Sequence, residues 1–435
     1  MKLFSSIEKK NKAIKIMNNK LSIYVCGPTV YNHVHIGNIR PIVVFDVLLR
    51  LLRTFKVDVN FVHNITDIDD KIIKQAKLEN KTELEIGNYY LEHYKSILEK
   101  LNISKGIYFP KVSEHIGGIV KYIEFLVKKG FAYKVDGDVY FSIDKIKDYG
   151  IISNKYINDL EVGARIEENK SKKSPFDFVL WKETKSGLNW KTKFSYGRPG
   201  WHTECAYLIN KYIGRSVDIH GGGVDLKFPH HENENAQNIA LCNVPIAKNW
   251  VHVGHLTIND TKMSKSLNNC VYVKDLLEIY SGNAIRWFFY QTGYSNPINY
   301  ADEYMEQAEE DISKIIDDIN MFKSYLIINN ELRPVMLSPS IFELLLNDLN
   351  IPNTITFINA EIKNAHIALR QKEYDTLNLK YNILYTLLNV LGINIENIHT
   401  DQNIDLLLKW DKLKSDRNFV QADVLRKELI RNKLI

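Results

Sequence analysis

The sequence has few cysteines, no long apolar run and little excess of either charge, and each shortage excludes a class of protein. Its four cysteines among 435 residues are too few and too scattered for a disulfide framework, which indicates a reducing cytoplasm where thiols are free to bind metal. No apolar run approaches the roughly 20 residues of a membrane-spanning helix. The first six residues lack the apolar core of a signal peptide. A net charge of +5 permits a nucleic-acid partner without indicating one.

The order of the segments predicts an α/β protein with an insertion and a helical end. At 435 residues the chain is too long for one core. Buried-strand patterns alternate with helical spacing, which indicates a parallel sheet with crossover helices; these strand patterns cover residues 21–25, 57–62, 216–220 and 250–253. A hairpin signal around Asp136-Gly137 opens a stretch of short strands and charged loops that reaches about residue 190. Beyond about residue 300 the patterns are helical.

The stretch from Val25 to Asn38 is where we expect the chemistry. It joins the first strand to a helix and carries one thiol and two imidazoles, those of Cys26, His33 and His35. We expect Asn38 to be the N-cap of that helix and Pro41 to lie in its first turn. The exposed N–H groups and positive dipole end of such a helix suit phosphate.

Four side chains of the types that bind zinc are candidates for a metal site. His230 and Glu234 are four residues apart on a helix that we expect to begin at Pro229, so they project from one face. Together with the thiols of Cys26 and Cys205 they form a donor set that suits Zn²⁺. Taken singly, each cysteine has the plainer interpretation of a small buried hydrophobe. We assign Cys242 and Cys270 to core or surface thiols without a metal role.

Two further motifs suit phosphate or close ligand approach. The loop Lys262-Met263-Ser264-Lys265-Ser266 places two ammonium groups where they can contact a triphosphate, although most such clusters are solvated basic loops. Gly221-Gly222-Gly223 permits a ligand to approach the backbone, as any flexible turn also would.

Read together, these motifs resemble those of one enzyme family. Cys26-Gly27-Pro28-Thr29-Val30-Tyr31, followed by His35-Ile36-Gly37-Asn38, resembles the HIGH signature of class I aminoacyl-tRNA synthetases, and residues 262–266 match their KMSKS loop at every position. The flanking motifs narrow the resemblance to the cysteinyl-tRNA synthetases; they are Asn64-Ile65-Thr66-Asp67, Gly200-Trp201-His202, the three glycines with Asp225, and Phe228-Pro229-His230-His231-Glu232-Asn233-Glu234. The resemblance runs from about residue 20 to the end.

The resemblance implies a role for each matching residue. The implied zinc ligands are Cys26, Cys205, His230 and Glu234. The implied ATP contacts are His33, His35, Gly37, Asn38 and Lys265, and the implied catalytic groups are His35, Asn38, Lys262 and Lys265. The implied cysteine pocket comprises Cys26, Gly27, Thr66, Trp201 and Asp225. We expect the other histidines of these motifs, His202, His220 and His231, to be structural hydrogen-bonding groups.

The resemblance also implies a fold and a domain order. The expected fold is a Rossmann-like parallel-sheet catalytic domain with an inserted connective subdomain, followed by an all-α bundle. The expected domains are the first half of the catalytic domain (1–114), the inserted subdomain (115–195), the second half (196–250), the KMSKS and stem-contact region (251–300), the helical bundle (301–400), and the incomplete start of an anticodon-binding domain (401–435). No residue of this last segment matches an anticodon contact.

The implied reaction joins cysteine to ATP, releases pyrophosphate, and passes the cysteinyl group to the 3′ end of tRNA-Cys. The implied cofactors are one Zn²⁺ per chain, which selects the substrate thiol, and Mg²⁺ with ATP; we expect no editing domain, no membrane partner, a monomer and a cytoplasmic location. One alternative is a cysteine ligase that uses the same adenylate with an amino-sugar acceptor. Another is a zinc-stabilised RNA-binding or scaffold protein without catalysis.

Overall fold

The computed structural model describes residues 1–154, 172–258, 261–263 and 269–435. Within these residues the strands are β1 (Lys2–Ser5), β2 (Lys10–Ala13), β3 (Lys20–Val25), β4 (Asp58–His63), β5 (Ile107–Tyr108), β6 (Ala132–Val135), β7 (Asp138–Phe141), β8 (Phe178–Glu183), β9 (Trp190–Lys191), β10 (Tyr196–Pro199), β11 (Ile219–Gly223), β12 (Trp250–Val253), β13 (Leu256–Ile258), β14 (Thr261–Lys262) and β15 (Ile298–Tyr300). The α-helices are α1 (Ile36–Thr54), α2 (Asp70–Glu79), α3 (Glu83–Lys100), α4 (Ile116–Lys128), α5 (Thr203–Tyr212), α6 (Glu232–Cys242), α7 (Val273–Ile279), α8 (Gly282–Tyr290), α9 (Asp302–Ile328), α10 (Glu343–Leu346), α11 (Ile351–Gln371), α12 (Tyr374–Val390), α13 (Asp401–Ser415) and α14 (Phe419–Arg431).

A five-stranded parallel sheet forms the centre of the α/β part, in the strand order β12-β11-β3-β4-β5. The chain moves outward from β3 in one direction, returns to the other side of β3, and moves outward again. This order is that of a Rossmann-like fold, as expected. The reversal of direction between β3 and β11 opens a crevice at the carboxyl ends of the strands, where ligands bind in such sheets.

Helix α1 crosses this sheet and begins three residues earlier than expected. Its N-cap is His35, and Asn38 lies inside the first turn, where its side chain accepts a hydrogen bond from the backbone N–H of His35. The prediction of Asn38 as N-cap is therefore wrong, because its amide caps the helix from the third position. Pro41 lies within the helix, beyond its first turn. Apolar residues are buried on nearly every side of α1, as befits a helix packed between the sheet and other helices.

The three glycines lie in β11, whereas the sequence pattern placed the strand at residues 216–220 and the glycines in a loop after it. A Cβ atom on Gly221 would stand 2.0 Å from the Phe45 ring, so glycine at this position lets helix α1 pack directly on the sheet. The strand consequently extends to Gly223, and its end reaches the crevice.

The remaining elements surround this sheet. Strands β6 to β10 form an antiparallel sheet, and the Asp136-Gly137 hairpin is confirmed, with both residues at positive φ. Strand β10 joins that sheet just beyond the predicted boundary at residue 195; the domain boundaries stay predictions.

From Asp302 onward the structure contains helices and connecting segments, which confirms the helical end. Among the described residues, every helix is too short or too polar to cross a bilayer. The charged stretch at residues 167–173 lies mostly outside the described residues.

A buried histidine at the end of β4 predicts acid sensitivity. His63 donates from Nδ1 to the Val25 carbonyl at 3.0 Å and accepts the Tyr94 hydroxyl at Nε2 at 2.8 Å. Burial lowers the pKa of His63 to about 4. The unfolded chain binds this proton first as the pH falls, so the contribution of His63 to stability is full above about pH 6.5 and is lost toward pH 4.

When the pH is lowered from 7 to 5, we expect the unfolding free energy of His63→Gln to fall by about 2 kcal/mol less than that of the unmodified protein. Urea unfolding at both pH values measures this difference. His366→Gln is the control, because it removes a half-exposed imidazole from the helical part. An equal change in pH dependence for both variants would contradict the prediction.

Candidate functional site

Two thiols, one imidazole and one carboxylate meet at the carboxyl edge of the parallel sheet. Cys26 follows β3, Cys205 lies in the first turn of α5, His230 lies in a π-helical turn at Lys227–His231, and Glu234 lies in the first turn of α6. Their ligand atoms all lie within 4.8 Å of one another. The structure therefore brings together four residues that the sequence spreads over more than 200 positions.

The contacts within this cluster have the spacing of ligands around one small ion. Cys26 Sγ lies 3.5 Å from Glu234 Oε1, and His230 Nε2 lies 2.8 Å from the same oxygen. Bonds of 2.0–2.3 Å to a tetrahedral zinc would place ligand atoms about 3.3–3.8 Å apart. A shift of less than about 1 Å would therefore bring this set to zinc geometry, and the donor types fit Zn²⁺.

The electrostatics of the cluster favour a cation. Burial lowers the pKa of His230, but the neighbouring Glu234 carboxylate raises it overall, to about 10. Burial raises the pKa of Cys205, but hydrogen bonds with Cys26 and His230 outweigh it and lower the pKa to about 7. His230 and His220 hold the pKa of Glu234 well below its usual range despite burial. The Glu234 carboxylate is therefore ionised in a buried site, and a bound cation would offset its charge.

Three histidines expected to be structural lie directly around these four residues. His220 Nε2 contacts Glu234 Oε2 at 2.6 Å, His202 Nδ1 contacts His230 Nδ1 at 2.9 Å, and His231 Nε2 lies 3.5 Å from Cys26 Sγ. A second group of possible ligand atoms accordingly consists of Cys26, His220, His231 and Glu234. Helical spacing could not have found His220, because it belongs to β11 and its partner belongs to α6.

Two residues of the expected cysteine pocket contact this cluster or its neighbour in the sequence, namely Trp201 and Thr66. The Trp201 ring stacks on His230, with centroids 4.4 Å apart, and is 42% exposed, so one face is open to the crevice. Thr66 is buried and donates to Glu204 Oε1 at 2.7 Å. Asp225 lies in a 3-10 turn just after β11 and is exposed.

A close approach of two backbone segments explains the glycine of the pocket. The N–H of Gly27 donates to Asn64 Oδ1 at 2.9 Å, and a Cβ atom on Gly27 would stand 1.5 Å from the Asn64 carbonyl oxygen. Asn64 Nδ2 in turn donates to Thr66 Oγ1 at 3.2 Å. Neither Asn64 nor Glu204 was expected to have a role, yet both hold the pocket residues in place.

Three of the residues expected to contact ATP, His35, Gly37 and Asn38, lie at the N-terminus of α1. The His35 ring lies over Gly37, and the amide of Asn38 is exposed at the end of the helix. His33 instead packs edge-on against Tyr90 and His93 of α3. The segment that follows the KMSKS loop lies against this turn, because the Ile36 N–H donates to the Val271 carbonyl at 2.9 Å.

Most of the KMSKS loop itself lies outside the described residues. This holds for Lys265 and for the side chain of Lys262, whose backbone forms part of β14. The roles expected for these two lysines therefore stay predictions.

Comparison with known proteins identifies the family. Residues 12–310 match the family model described as tRNA synthetases class I (C) catalytic domain. Among curated proteins, the chain is 51% identical to a cysteine--tRNA ligase of Malacoplasma penetrans over 440 residues, which covers 100% of both chains. It is 45% identical to a protein of the same name from Mycoplasmoides gallisepticum over 438 residues, again with 100% of both chains covered. The chain belongs to the cysteine--tRNA ligase family.

Solved structures place this family member among class I synthetase folds. A Mycobacterium tuberculosis methionyl-tRNA synthetase in complex with methionyl-adenylate aligns over 90% of this chain and 91% of that chain, with a TM-score of 0.60 and 14% identity. A putative arginyl-tRNA synthetase from Campylobacter jejuni aligns over 87% and 94%, with a TM-score of 0.54 and 13% identity. The cysteine--tRNA ligases are class I aminoacyl-tRNA synthetases, so this chain is an enzyme and the non-catalytic alternative is wrong.

Proposed function

We propose that the protein activates L-cysteine with ATP, transfers the cysteinyl group to the 3′ end of tRNA-Cys, and selects its substrate through a bound zinc ion. The proximity of Cys26, Cys205, His230 and Glu234 at the crevice carries the zinc part of this proposal. The names of the full-length relatives favour tRNA over an amino sugar as the acceptor. Since tRNA charging serves translation, the proposed location is the cytoplasm, and the proposed state is a monomer.

The zinc ion would supply affinity for sulfur. Serine differs from cysteine by a single atom, and pocket shape alone separates such pairs by about 1–3 kcal/mol. A zinc ion prefers a thiolate to a hydroxyl and keeps the substrate thiol deprotonated. The proposed pocket adds Gly27, Thr66, Trp201 and Asp225 around the substrate.

The chain's own residues would position ATP rather than form bonds to it. Attack of the cysteine carboxylate on the α-phosphate forms the new P–O bond, and pyrophosphate leaves with the electron pair of the bond that breaks. Donors at the N-terminus of α1, including His35 and Asn38, suit the phosphate oxygens. We propose that Lys262, Lys265 and Mg²⁺ neutralise the remaining charge, with His33 and Gly37 lining the nucleotide site.

Cysteine-dependent ATP–pyrophosphate exchange, run beside metal analysis of the purified protein, tests this function. We expect one zinc per chain and a preference for cysteine over serine of roughly 10³-fold or more, above what shape alone provides. Chelation should abolish exchange, and zinc should restore it. Charging of tRNA-Cys with labelled cysteine tests the acceptor. Exchange with cysteine but no charging of tRNA would reject tRNA as the acceptor, and metal-free protein with full activity would reject the zinc site.

A further inference from the structure

Three groups joined by hydrogen bonds lead from the four-residue metal-type cluster to the N-terminal segment, and we call them the hydrogen-bonded series. His231 Nε2 lies 3.5 Å from Cys26 Sγ, and His231 Nδ1 lies 2.8 Å from His252 Nε2. His252 Nδ1 lies 2.7 Å from Ser6 Oγ. Ser6 lies just after β1, and His252 lies in β12. Neither Ser6 nor His252 belongs to a motif that the sequence singles out.

The hydrogen-bonded series is buried along its whole length, so water does not replace the hydrogen-bond partners of its members. His231, His252 and Ser6 are at most 5% exposed. The backbone N–H of Ser6 donates to the Trp250 carbonyl at 3.1 Å, which holds the hydroxyl against β12. The His252 ring lies parallel to the Trp250 ring, with centroids 6.1 Å apart. Backbone pairing and ring packing thus hold each group in place.

The geometry points to Ser6 and His252 as positioning residues, which fix the tautomer of His231 so that its Nε2–H donates to the Cys26 sulfur. This inference rests on the proposed function, because it concerns Cys26 as a zinc ligand. A ligating cysteine is a thiolate and can only accept. Each neutral imidazole carries one proton, so a donor at His231 Nε2 requires an acceptor at His231 Nδ1.

The same count of protons applies to His252 and Ser6, the other two members of the hydrogen-bonded series. The proton at His252 lies on Nε2, which donates to His231, and His252 Nδ1 accepts the Ser6 hydroxyl proton. One proton per group thus satisfies all three hydrogen bonds in a single direction. A donated hydrogen bond orients the ligand and stabilises the thiolate form that binds metal, so its loss weakens metal affinity, typically by about 10- to 100-fold.

The consequence for selection lies in the sulfur of Cys26. A hydrogen bond withdraws electron density from this sulfur, so the thiolate donates less to a bound metal. The metal then keeps more affinity for a further sulfur ligand, which in the proposed reaction is the thiol of the cysteine substrate. Breaking the hydrogen-bonded series should therefore raise the KM for cysteine more than it lowers kcat.

Cobalt substitution tests the inference in the full-length protein, because the sulfur-to-cobalt charge-transfer band reports directly on the thiolates. The variants are Ser6→Ala, which removes the terminal donor, and His252→Phe, which removes the donor to His231. Ser6→Thr and His252→Gln keep a donor at the same places. Ser5→Ala is the matched control, because Ser5 is an equally buried neighbouring serine whose hydroxyl contacts Glu8 instead.

We expect His252→Phe to raise the cobalt dissociation constant roughly 10-fold and Ser6→Ala to raise it roughly 3-fold. Both should shift the charge-transfer band to longer wavelength, because a thiolate without the hydrogen bond is a better electron donor. The donor-keeping variants and Ser5→Ala should match the unmodified protein in affinity, band position and thermal midpoint.

The outcomes separate this inference from the function beneath it. If the unmodified protein binds cobalt and all variants match it, the inference is overturned and the proposed function stands. Equal shifts in Ser5→Ala and Ser6→Ala would also overturn it, since they would indicate a general effect of packing near β1. If the unmodified protein binds no cobalt or zinc, the zinc part of the proposed function fails, and the inference fails with it.

Discussion

Replacing Cys205 with serine is expected to lower kcat/KM for cysteine in pyrophosphate exchange by roughly 10³-fold, about 4 kcal/mol of transition-state stabilisation. Cys205 is buried in the metal-type cluster, and the local charges lower the pKa of its thiol to about 7, so it readily supplies a thiolate. A serine hydroxyl in its place stays protonated near neutral pH and is a poor ligand for zinc. The variant should therefore contain much less than one zinc per chain after dialysis.

A matched control separates loss of the metal from the change of a thiol to a hydroxyl. Cys242→Ser makes the same chemical change at the end of α6, where the thiol accepts a hydrogen bond from Asn210 Nδ2 at 3.5 Å and lies outside the cluster. We expect this variant to keep its zinc and its exchange activity. Zinc content by elemental analysis and the exchange rate at several cysteine concentrations check both variants. Normal exchange by Cys205→Ser would contradict the metal-based selection of cysteine.

The fold was predictable where one physical signal dominated. Buried strands of apolar and β-branched residues, joined by helical spacing, indicated the parallel sheet, and the Asp136-Gly137 pair indicated a hairpin. The start of α1 was not predictable by the usual preference for an N-cap. Asn38 has the side chain of a good N-cap, but it caps from inside the helix, with His35 at the boundary. That choice depends on the packing of the turn against residue 271, which local rules do not contain.

The glycines of β11 show a second limit of local rules. A run of three glycines is typical of a flexible turn, because each lacks a Cβ atom and the conformational restriction that it brings. Here the missing Cβ atom makes room for the Phe45 ring, so the glycines form a strand under a tightly packed helix. The same sequence feature thus has opposite meanings, and only the neighbouring helix decides between them.

The candidate site likewise contains some residues that the sequence could predict and others that it could not. His230 and Glu234 follow from helical spacing, and Cys26 from its place at the end of a strand, although the pairing of all four residues required the family resemblance. The partners of these residues carry no local signal. His220 is 14 positions from Glu234, and Ser6 is 246 positions from His252. Hydrogen bonds of this range arise from strand order, which brings the end of β1 beside β12.

The second large effect is expected at a buried ion pair between α1 and α8, whose arginine also links the α/β part to the helical part at the end of α12. Arg286 of α8 contacts Asp46 of α1 at 2.5 Å, and neither side chain is exposed. Arg286 also donates to the carbonyl oxygens of Leu101, after α3, and Leu391, after α12. The Arg286 charge keeps the pKa of Asp46 low despite burial. One guanidinium thus satisfies groups from three segments.

We expect Arg286→Met to lower the free energy of unfolding by about 3–5 kcal/mol, because it leaves the Asp46 carboxylate buried with Arg50 as its remaining cationic partner in the part of the chain that the structure describes. The midpoint of thermal unfolding should fall by roughly 3–5 °C, because a chain of this length has a large entropy of unfolding. The matched control is Arg333→Met, which removes an exposed arginine that bridges Glu331 and Asp375. Exposed ion pairs contribute about 0–1 kcal/mol, so the control should change little.

A double variant identifies the cause of this loss. If the uncompensated carboxylate is responsible, Arg286→Met combined with Asp46→Leu should be more stable than Arg286→Met alone, because buried ion pairs are often replaced by apolar residues at little cost. The Ser104 N–H, which donates to Asp46 Oδ1 at 2.8 Å, would lose its partner and limit the recovery. If the carbonyl contacts of Arg286 hold the two parts together instead, the double variant will be no more stable than the single one. In that case the arginine acts as a cross-link between segments, and its charge is secondary.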